Sequence, residues 1–136
     1  MSYRIVLSPN PDSVARARGW AVTAMNNVEL GFLADTVALL VSELVTNVVL
    51  HARTDCDLEV WVSGGRVRVE VSDGSDQLPA VTIVNDPLAQ SGRGMVLVNA
   101  LSAAHGAEEI EWGGKRVWFE LDIPLGSPPP PVCGRR

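Results

Sequence analysis

Cysteine, aromatic residues and clustered positive charge are all scarce in this chain of 136 residues. Its two cysteines, Cys56 and Cys133, are too few for a disulfide framework or a set of metal ligands. Both are therefore expected to be free thiols in a reducing compartment. The first residues lack the apolar segment of a signal peptide, and no uninterrupted apolar run reaches the roughly 18–20 residues of a membrane span. We therefore expect a cytoplasmic protein that does not enter a membrane.

Positive charge is too sparse for a nucleic-acid partner. The chain has 11 Lys and Arg against 16 Asp and Glu, a formal net charge of −5. Binding to a phosphate backbone needs clustered Lys and Arg, and the sequence has no such cluster. Direct contact with nucleic acid is therefore not expected. The length suits one domain with a full core.

Apolar periodicity and turn signals predict alternating strands and helices. A strand is predicted at 3–8, followed by a helix from about 13 to 27 with Asp12 or Ser13 as its cap. The longest helix follows and runs to about residue 52. Two strands, at 57–63 and 66–72, are joined by a hairpin at Gly64-Gly65. After a further helix that opens at Gly94, two strands at 107–112 and 115–123 are joined at Gly113-Gly114.

These elements predict an α+β fold, a two-layer sandwich in which a mixed, mostly antiparallel sheet carries its helices on one face. The domain is expected to span residues 1–124. The proline-rich segment 125–136 is expected to be a disordered tail of polyproline type. Residues 74–91 show no clear period, and a loop of this length in a compact domain is usually functional, often a lid.

The longest predicted helix carries a polar column beside its apolar stripe. The stripe is formed by Val37, Val41, Leu44 and Val48. Glu43 and Asn47 are four residues apart, so they project from the same side, and His51 continues the column. An Asn side-chain oxygen is a suitable Mg²⁺ ligand, and a Glu one turn away can accept a proton from an attacking hydroxyl or water. The alternative is a polar pair that caps backbone groups or lies at the solvent edge of the helix.

Two further motifs each allow a chemical and a purely conformational interpretation. In Asp73-Gly74-Ser75, at a strand end, Asp73 can accept a hydrogen bond from an exocyclic amine such as that of adenine, but this composition is also common in turns. Ser91-Gly92-Arg93-Gly94 opens a helix, whose first N–H groups form an anion site that glycine lets a phosphate approach. Arg93 can add a charge-assisted bond. The alternative is a plain glycine-rich helix start.

Together, the ordered motifs resemble those of the Bergerat-fold (GHKL) ATPase and kinase family. The likeness is greatest to small bacterial anti-sigma-factor serine/threonine kinases and similar stand-alone actinobacterial ATP-binding proteins. It covers nearly all of residues 3–123. The segments that carry it are Ser42-Glu43-Leu44-Val45-Thr46-Asn47 with His51-Ala52, Val71-Ser72-Asp73-Gly74-Ser75 with Pro79, Gly92-Arg93-Gly94-Met95-Val96-Leu97-Val98, and Gly114-Lys115-Arg116-Val117-Trp118-Phe119-Glu120-Leu121.

The resemblance implies that the protein binds ATP and Mg²⁺. Glu43 would be the catalytic general base, Asn47 the Mg²⁺ ligand and Asp73 the acceptor of the adenine amine. Residues 76–91 would form a short ATP lid. The nucleotide-binding residues implied in this way are Asp73, Ser75, Pro79, Ser91, Gly92, Arg93, Gly94 and Met95. Similar proteins tend to carry Thr in place of Arg116, and that Thr helps the adenine contacts.

The activity implied by the resemblance is that of an anti-sigma-factor protein kinase. Such a protein phosphorylates Ser or Thr of a STAS-type anti-anti-sigma protein and sequesters a sigma factor. The alternative is a catalytically silent, nucleotide-gated protein-binding module in which Glu43 is structural. A third interpretation is a plain interaction domain without nucleotide, against which the retained glycines argue, because glycine lowers stability where nothing requires it. Similar proteins often form homodimers, although no stretch of this sequence identifies an interface.

Overall fold

The computed structural model describes residues 1–75, 97–111 and 113–124. The strands in this part of the chain are β1 (Ser2–Leu7), β2 (Cys56–Ser63), β3 (Arg66–Asp73), β4 (Ala104–Glu109) and β5 (Lys115–Asp122). The helices are α1 (Asp12–Asn27) and α2 (Ala34–Asn47), with a 3₁₀ turn at Gly31–Leu33 before α2 and a π-helical turn at Val48–Ala52 after it. Residues 97–101 are also helical. The expected tail, 125–136, lies outside the described residues.

The five strands form one sheet in the order β1-β2-β3-β5-β4. All four pairings between the described strands are antiparallel. Residues of α1 and α2 pack with one face of this sheet in a single core. The predicted α+β two-layer sandwich is therefore confirmed, with a described sheet that is antiparallel throughout rather than mixed.

Alternation along each strand decides which side chains reach the helices. In β3, Val67, Val69 and Val71 are buried, whereas the residues between them are partly exposed. The same alternation in β5 buries Lys115, Val117, Phe119 and Leu121. Asp73 and Lys115 are the last inward positions of β3 and the first of β5, and they are directly paired in the sheet. The helix-facing side of the sheet therefore ends in a polar pair.

The central helix is the main contributor to the core. Its buried residues are Ala34, Val37, Ala38, Leu40, Val41, Ser42, Leu44 and Val45. By length and composition, residues 31–52 are long and apolar enough to cross a membrane, although Asp35 and Glu43 interrupt the apolar run. Half of the relevant window is buried inside the protein, however, as in the core helix of a globular domain. The apolar stripe predicted for this helix is confirmed as the surface that packs on the sheet.

The predicted cap of α1 is wrong. The helix begins at Asp12, and the side chain of Asn10 accepts a hydrogen bond from the Asp12 backbone N–H at 2.8 Å. Ser13 is buried, and its hydroxyl donates to the carbonyl of Ser8 at 2.8 Å instead of to a helix N–H group. The side chain of Asn10 therefore satisfies the N–H of Asp12, while the Ser13 hydroxyl is engaged with the preceding bend and not with the helix.

One predicted hairpin is confirmed and the other is longer than expected. Gly64 and Gly65 have φ angles of +61° and +77°, as in the type I′ turns that match strand twist. At the second hairpin, β4 ends at Glu109, which pairs with Lys115, so the connection spans residues 110–114. β4 begins at Ala104, three residues before its predicted start. Its sequence indicates a strand only weakly, because it consists of small and polar residues, Ala-His-Gly-Ala-Glu-Glu, with no β-branched or large apolar side chain.

Candidate functional site

A small cavity lies between the C-terminal part of α2 and the adjoining ends of β3 and β5. Its volume is about 10 Å³, enough for roughly one water molecule. The residues that line it are Leu44, Asn47, Val48, Val71, Asp73, Lys115 and Val117. Two predicted site residues from distant parts of the chain, Asn47 and Asp73, therefore meet at one place. The rest of the lining is apolar, apart from Lys115.

Both carboxylate oxygens of Asp73 already have donors. Oδ2 accepts from Nζ of Lys115 at 2.7 Å, and Oδ1 accepts from the backbone N–H of Ser75 at 2.8 Å. The Thr54 hydroxyl oxygen accepts from the Gly74 backbone N–H at 2.9 Å, which fixes the chain just beyond the strand. Ser75 thus joins the site through its backbone, and Asp73 is held in one orientation.

The sequence analysis did not identify Lys115 as a contact of Asp73. Gly114 is the residue that places Lys115 beside Asp73. The φ of Gly114 is +92°, and a Cβ at this position would lie 2.2 Å from the carbonyl oxygen of Asp73. Only glycine allows β5 to start so close to the end of β3, and the resulting register sets Lys115 opposite Asp73. Strand alternation puts Lys115 on the inward face of β5, but its position opposite Asp73 follows only once the register between β3 and β5 is known.

Arg116 lies on the opposite face of the sheet. Its Nε is 3.2 Å from a carboxylate oxygen of Glu70, and its Nη1 is 3.1 Å from a carboxylate oxygen of Glu108. Side chains alternate along a strand, so a residue at position 116 cannot face Asp73. Arg116 therefore does not face Asp73, where the resemblance puts the adenine amine, and the side chain of β5 that reaches Asp73 is that of Lys115.

Asn47 is half-buried, and its side-chain nitrogen is fully buried without a hydrogen-bond partner among residues 1–75, 97–111 and 113–124. An unsatisfied buried amide costs about 1–3 kcal/mol, so an unpaired group of this kind needs an explanation. A ligand that enters the cavity would provide one. The amide nitrogen and oxygen exchange places on rotation about the terminal bond, so either can face such a ligand.

Glu43 lies one turn before Asn47 on α2 and is half-buried. It does not line the cavity, and among the described residues no ion pair or hydrogen bond involves its side chain. His51, predicted to continue the column, is exposed in the π-helical turn that follows α2, where residues four apart do not lie directly above one another as in an α-helix.

Cys56 lies on the strand next to Asp73, close to the site. Cys56 pairs with Asp73 across β2 and β3, and it is buried and free. Burial, followed by the negative charge of Asp73, raises the pKa of the Cys56 thiol to about 12. The thiol therefore stays protonated at neutral pH and serves as a core residue, which agrees with the expectation of a free cysteine.

The outer face of the sheet carries a ladder of charged side chains. Arg68 bonds Glu70 at 2.7 Å and Glu120 at 2.8 Å, and its guanidinium stacks 4.1 Å from the ring centre of Trp118. Hydrogen bonds from Arg68 and Arg66 lower the pKa of Glu120. These ion pairs line two larger cavities on the outer face, of about 410 and 600 Å³, so the helix-facing side is favoured by its predicted site residues and not by a lack of space elsewhere.

The other predicted site residues lie outside the described residues. They are Pro79, Ser91, Gly92, Arg93, Gly94 and Met95, together with the rest of the expected lid. Their predicted roles in nucleotide binding stay predictions.

An antiparallel sheet with helices on one face, and a small cavity where an Asn of the central helix meets an Asp at a strand end, are consistent with an α+β sandwich of the ATPase type. The family model of the histidine kinase-like ATPase domain matches residues 7–121. The chain belongs to this family. No curated protein matches the chain. Family membership supports ATP binding and a general ATPase or kinase-type activity.

Proposed function

We propose that the protein is a cytoplasmic, ATP-binding regulator of the anti-sigma-factor type. It phosphorylates Ser or Thr of a STAS-type anti-anti-sigma protein and sequesters a sigma factor. The observation that supports this proposal is the meeting of Asn47 and Asp73 at one cavity, with Glu43 one helical turn away. These are the positions at which the family resemblance implies metal binding, base binding and proton transfer.

The residues divide the reaction between them. Asp73 accepts a hydrogen bond from the base. Glu43 takes the proton of the attacking Ser or Thr hydroxyl. The hydroxyl oxygen bonds to the γ-phosphorus of ATP while the bond from this phosphorus to the β-phosphate oxygen breaks, which releases ADP. Because no described residue is paired with the Glu43 side chain, its carboxylate is available for this role.

The magnesium ion of MgATP fits Asn47 as its protein ligand. Among residues 1–75, 97–111 and 113–124, no three His, Cys, Asp or Glu side chains are grouped as a metal site. Mg²⁺ in nucleotide sites commonly keeps waters and phosphate oxygens and takes one or two protein ligands, so a single Asn is compatible with this. When bound, the ion neutralises charge on the phosphates.

A second candidate is the catalytically silent, nucleotide-gated binding module. The specific observation in its favour is that both oxygens of Asp73 are engaged and the adjoining cavity has room for only about one water. In this arrangement Asp73 is satisfied within the protein itself. A nucleotide would then act by changing the surface offered to a protein partner, without being consumed.

Phosphate transfer tests the proposal. The wild-type protein is incubated with labelled ATP, Mg²⁺ and a STAS-type anti-anti-sigma protein, beside Glu43→Gln and the control Glu108→Gln, which removes a carboxylate on the outer face of β4. We expect labelled Ser or Thr with the wild type and the control, and a loss of about 10²–10⁴-fold with Glu43→Gln.

The other outcomes separate the candidates. ATP binding without transfer in the wild type supports the silent module. Equal transfer by Glu43→Gln removes Glu43 from catalysis, and no binding of ATP at millimolar concentration contradicts both candidates. Sequestration is tested separately, by co-elution of the protein with a sigma factor in the presence of ATP or ADP.

A further inference from the structure

Glu59 is a carboxylate without a partner on the outer face of the sheet. It is half-buried on β2, and among the described residues no ion pair or hydrogen bond involves its side chain. Its direct neighbour on β1 is Arg4, but the Arg4 guanidinium bonds Asp57 at 2.6 Å instead. Its direct neighbour on β3 is a second carboxylate, that of Glu70. Like charges that face each other across two strands are unfavourable, so Glu59 lies where a cation is missing.

Trp61 lies beside Glu59 on the same face. The two residues are two positions apart on β2, so their side chains project to the same side of the sheet. Trp61 is half-buried and borders both outer cavities, and Glu59 lines the larger one with it, whose volume is about 600 Å³. Among the described side chains, no cation is stacked on the Trp61 ring. An open space bordered by a carboxylate and an aromatic ring suits a cation that can use both.

The adjoining strands contain the same combination with its cation in place. The Arg68 guanidinium stacks 4.1 Å from the centre of the Trp118 ring and bonds Glu120 at 2.8 Å. Trp118 and Glu120 are two positions apart on β5, the same spacing as in the pair on β2. The sheet thus carries two pairs of a ring and a carboxylate, and this chain fills one of them with an arginine.

The chemistry of the empty pair favours a guanidinium over a metal ion. One carboxylate beside a ring supplies too few oxygen ligands for Ca²⁺ or Mg²⁺, whereas a planar guanidinium can stack on the ring and bond the carboxylate at the same time. The other four charged groups that line the cavity form ion pairs with one another, so Glu59 leaves the cavity with an uncompensated negative charge. A volume of about 600 Å³ exceeds that of one side chain, so the neighbouring residues of a peptide segment also fit.

We propose that Glu59 and Trp61 form a docking site for an arginine side chain of a partner protein, which binds the outer face of the sheet through a basic segment. The site lies on the face opposite to the cavity of Asn47 and Asp73. Nucleotide binding and this docking site therefore do not depend on each other, and each can fail without the other.

The test titrates the full chain with the peptide acetyl-Ser-Gly-Arg-Gly-Ser-amide and with the same peptide containing citrulline, which keeps the shape of arginine without its charge. Binding is followed in nitrogen-15 NMR spectra by the indole N–H of Trp61, which is assigned by its loss in Trp61→Leu, and by the backbone amides of β2. We expect saturable shifts with a dissociation constant of about 1 mM or lower for the arginine peptide, and binding at least tenfold weaker for the citrulline peptide.

Variants locate the site. Glu59→Gln should weaken binding of the arginine peptide about ten- to hundredfold, because it removes a charge-assisted hydrogen bond. Trp61→Leu should weaken it about three- to thirtyfold, through loss of the cation–π contact. Glu108→Gln is the matched control, because it makes the same change on the same face at a carboxylate that already bonds Arg116, and it should bind like the wild type. Since Glu59→Gln removes one of two facing carboxylates, it should fold and be at least as stable in urea as the wild type.

Three results would overturn the inference: equal binding of the two peptides, equal binding by the wild type and Glu59→Gln, or no binding of the arginine peptide at about 10 mM. A second copy of this chain is the competing occupant. Shifts of the Trp61 indole that grow with protein concentration in the absence of peptide, and that Glu59→Gln abolishes, would assign the site to self-association and contradict a separate partner.

Discussion

Replacing Gly114 by alanine should disrupt the pairing of Lys115 with Asp73, although Gly114 is not among the residues that line the cavity. A Cβ at this position would lie 2.2 Å from the carbonyl oxygen of Asp73 and 3.3 Å from the Gly74 Cα. Both neighbours are backbone atoms, which cannot rotate away as a side chain can. The strands would have to separate where Lys115 is held against Asp73. The substitution therefore tests whether this close approach sets the register of the pair.

Two costs add in Gly114→Ala. Its φ of +92° lies in the left-handed region, where an L-residue loses about 1–2 kcal/mol. Weakening the buried pair adds part of the roughly 3–5 kcal/mol that breaking it would cost. Together we expect a loss of about 3 kcal/mol or more, a large fraction of the roughly 5–15 kcal/mol by which a domain is stable.

The neighbouring Gly113 provides the control. Its φ is +112°, and a Cβ there meets nothing within 4 Å, so Gly113→Ala carries only the conformational cost. Urea unfolding followed by circular dichroism should show that Gly114→Ala is less stable than Gly113→Ala by about 2 kcal/mol or more. Equal losses in the two variants would refute the argument that the contact with Asp73 determines the register.

Three further perturbations have defined outcomes. Asp73→Asn and Lys115→Met should each lose about 3–5 kcal/mol in urea unfolding, and the double variant less than their sum; strict additivity would contradict a coupled pair. Because burial raises the pKa of Cys56 from 9.0 to about 12, the unfolded chain loses this proton first. The unfolding free energy should therefore fall between these pH values by at most about 1.4 kcal/mol per pH unit, a decline that Cys56→Ala should lack. A Cβ at Gly106 would lie 2.8 Å from the Trp118 ring, so Gly106→Ala should shift the near-ultraviolet circular dichroism, whereas an unchanged spectrum would show that the ring does not need the glycine.

Those parts of the fold that depend on local pattern were predictable from the sequence. The glycine pair Gly64-Gly65 supplied the two positive φ angles that its hairpin needs, so the turn and the register of β2 with β3 followed together. The valines of β3 alternate with polar residues, and this marked the buried face. The apolar stripe of α2 similarly marked the surface that packs on the sheet. In each case one short segment contains the whole signal.

The predictions that failed concern residues whose interaction partner lies in another segment of the chain. The N–H of Asp12 is satisfied by Asn10, which belongs to the preceding bend, so a search for a cap at the expected helix start chose the wrong residues. In β4, Gly106 is paired with Trp118 of the next strand, and a Cβ at Gly106 would lie 2.8 Å from the Trp118 ring. A glycine in a weakly apolar segment indicates a loop until that neighbour is known.

The composition of the site also depends on strand register, because the register decides which cation of β5 reaches Asp73. The motifs of α2 and β3 predicted that Asn47 and Asp73 belong together, and they do meet at the cavity. The motif at the start of β5 was interpreted through Arg116, but a shift of one residue along a strand exchanges the two faces of the sheet. The cation that reaches the site is Lys115, held there by the contact of Gly114 with the end of β3. A family motif can thus identify the carboxylate, whereas the residue paired with it determines which hydrogen bonds that carboxylate still offers to a ligand.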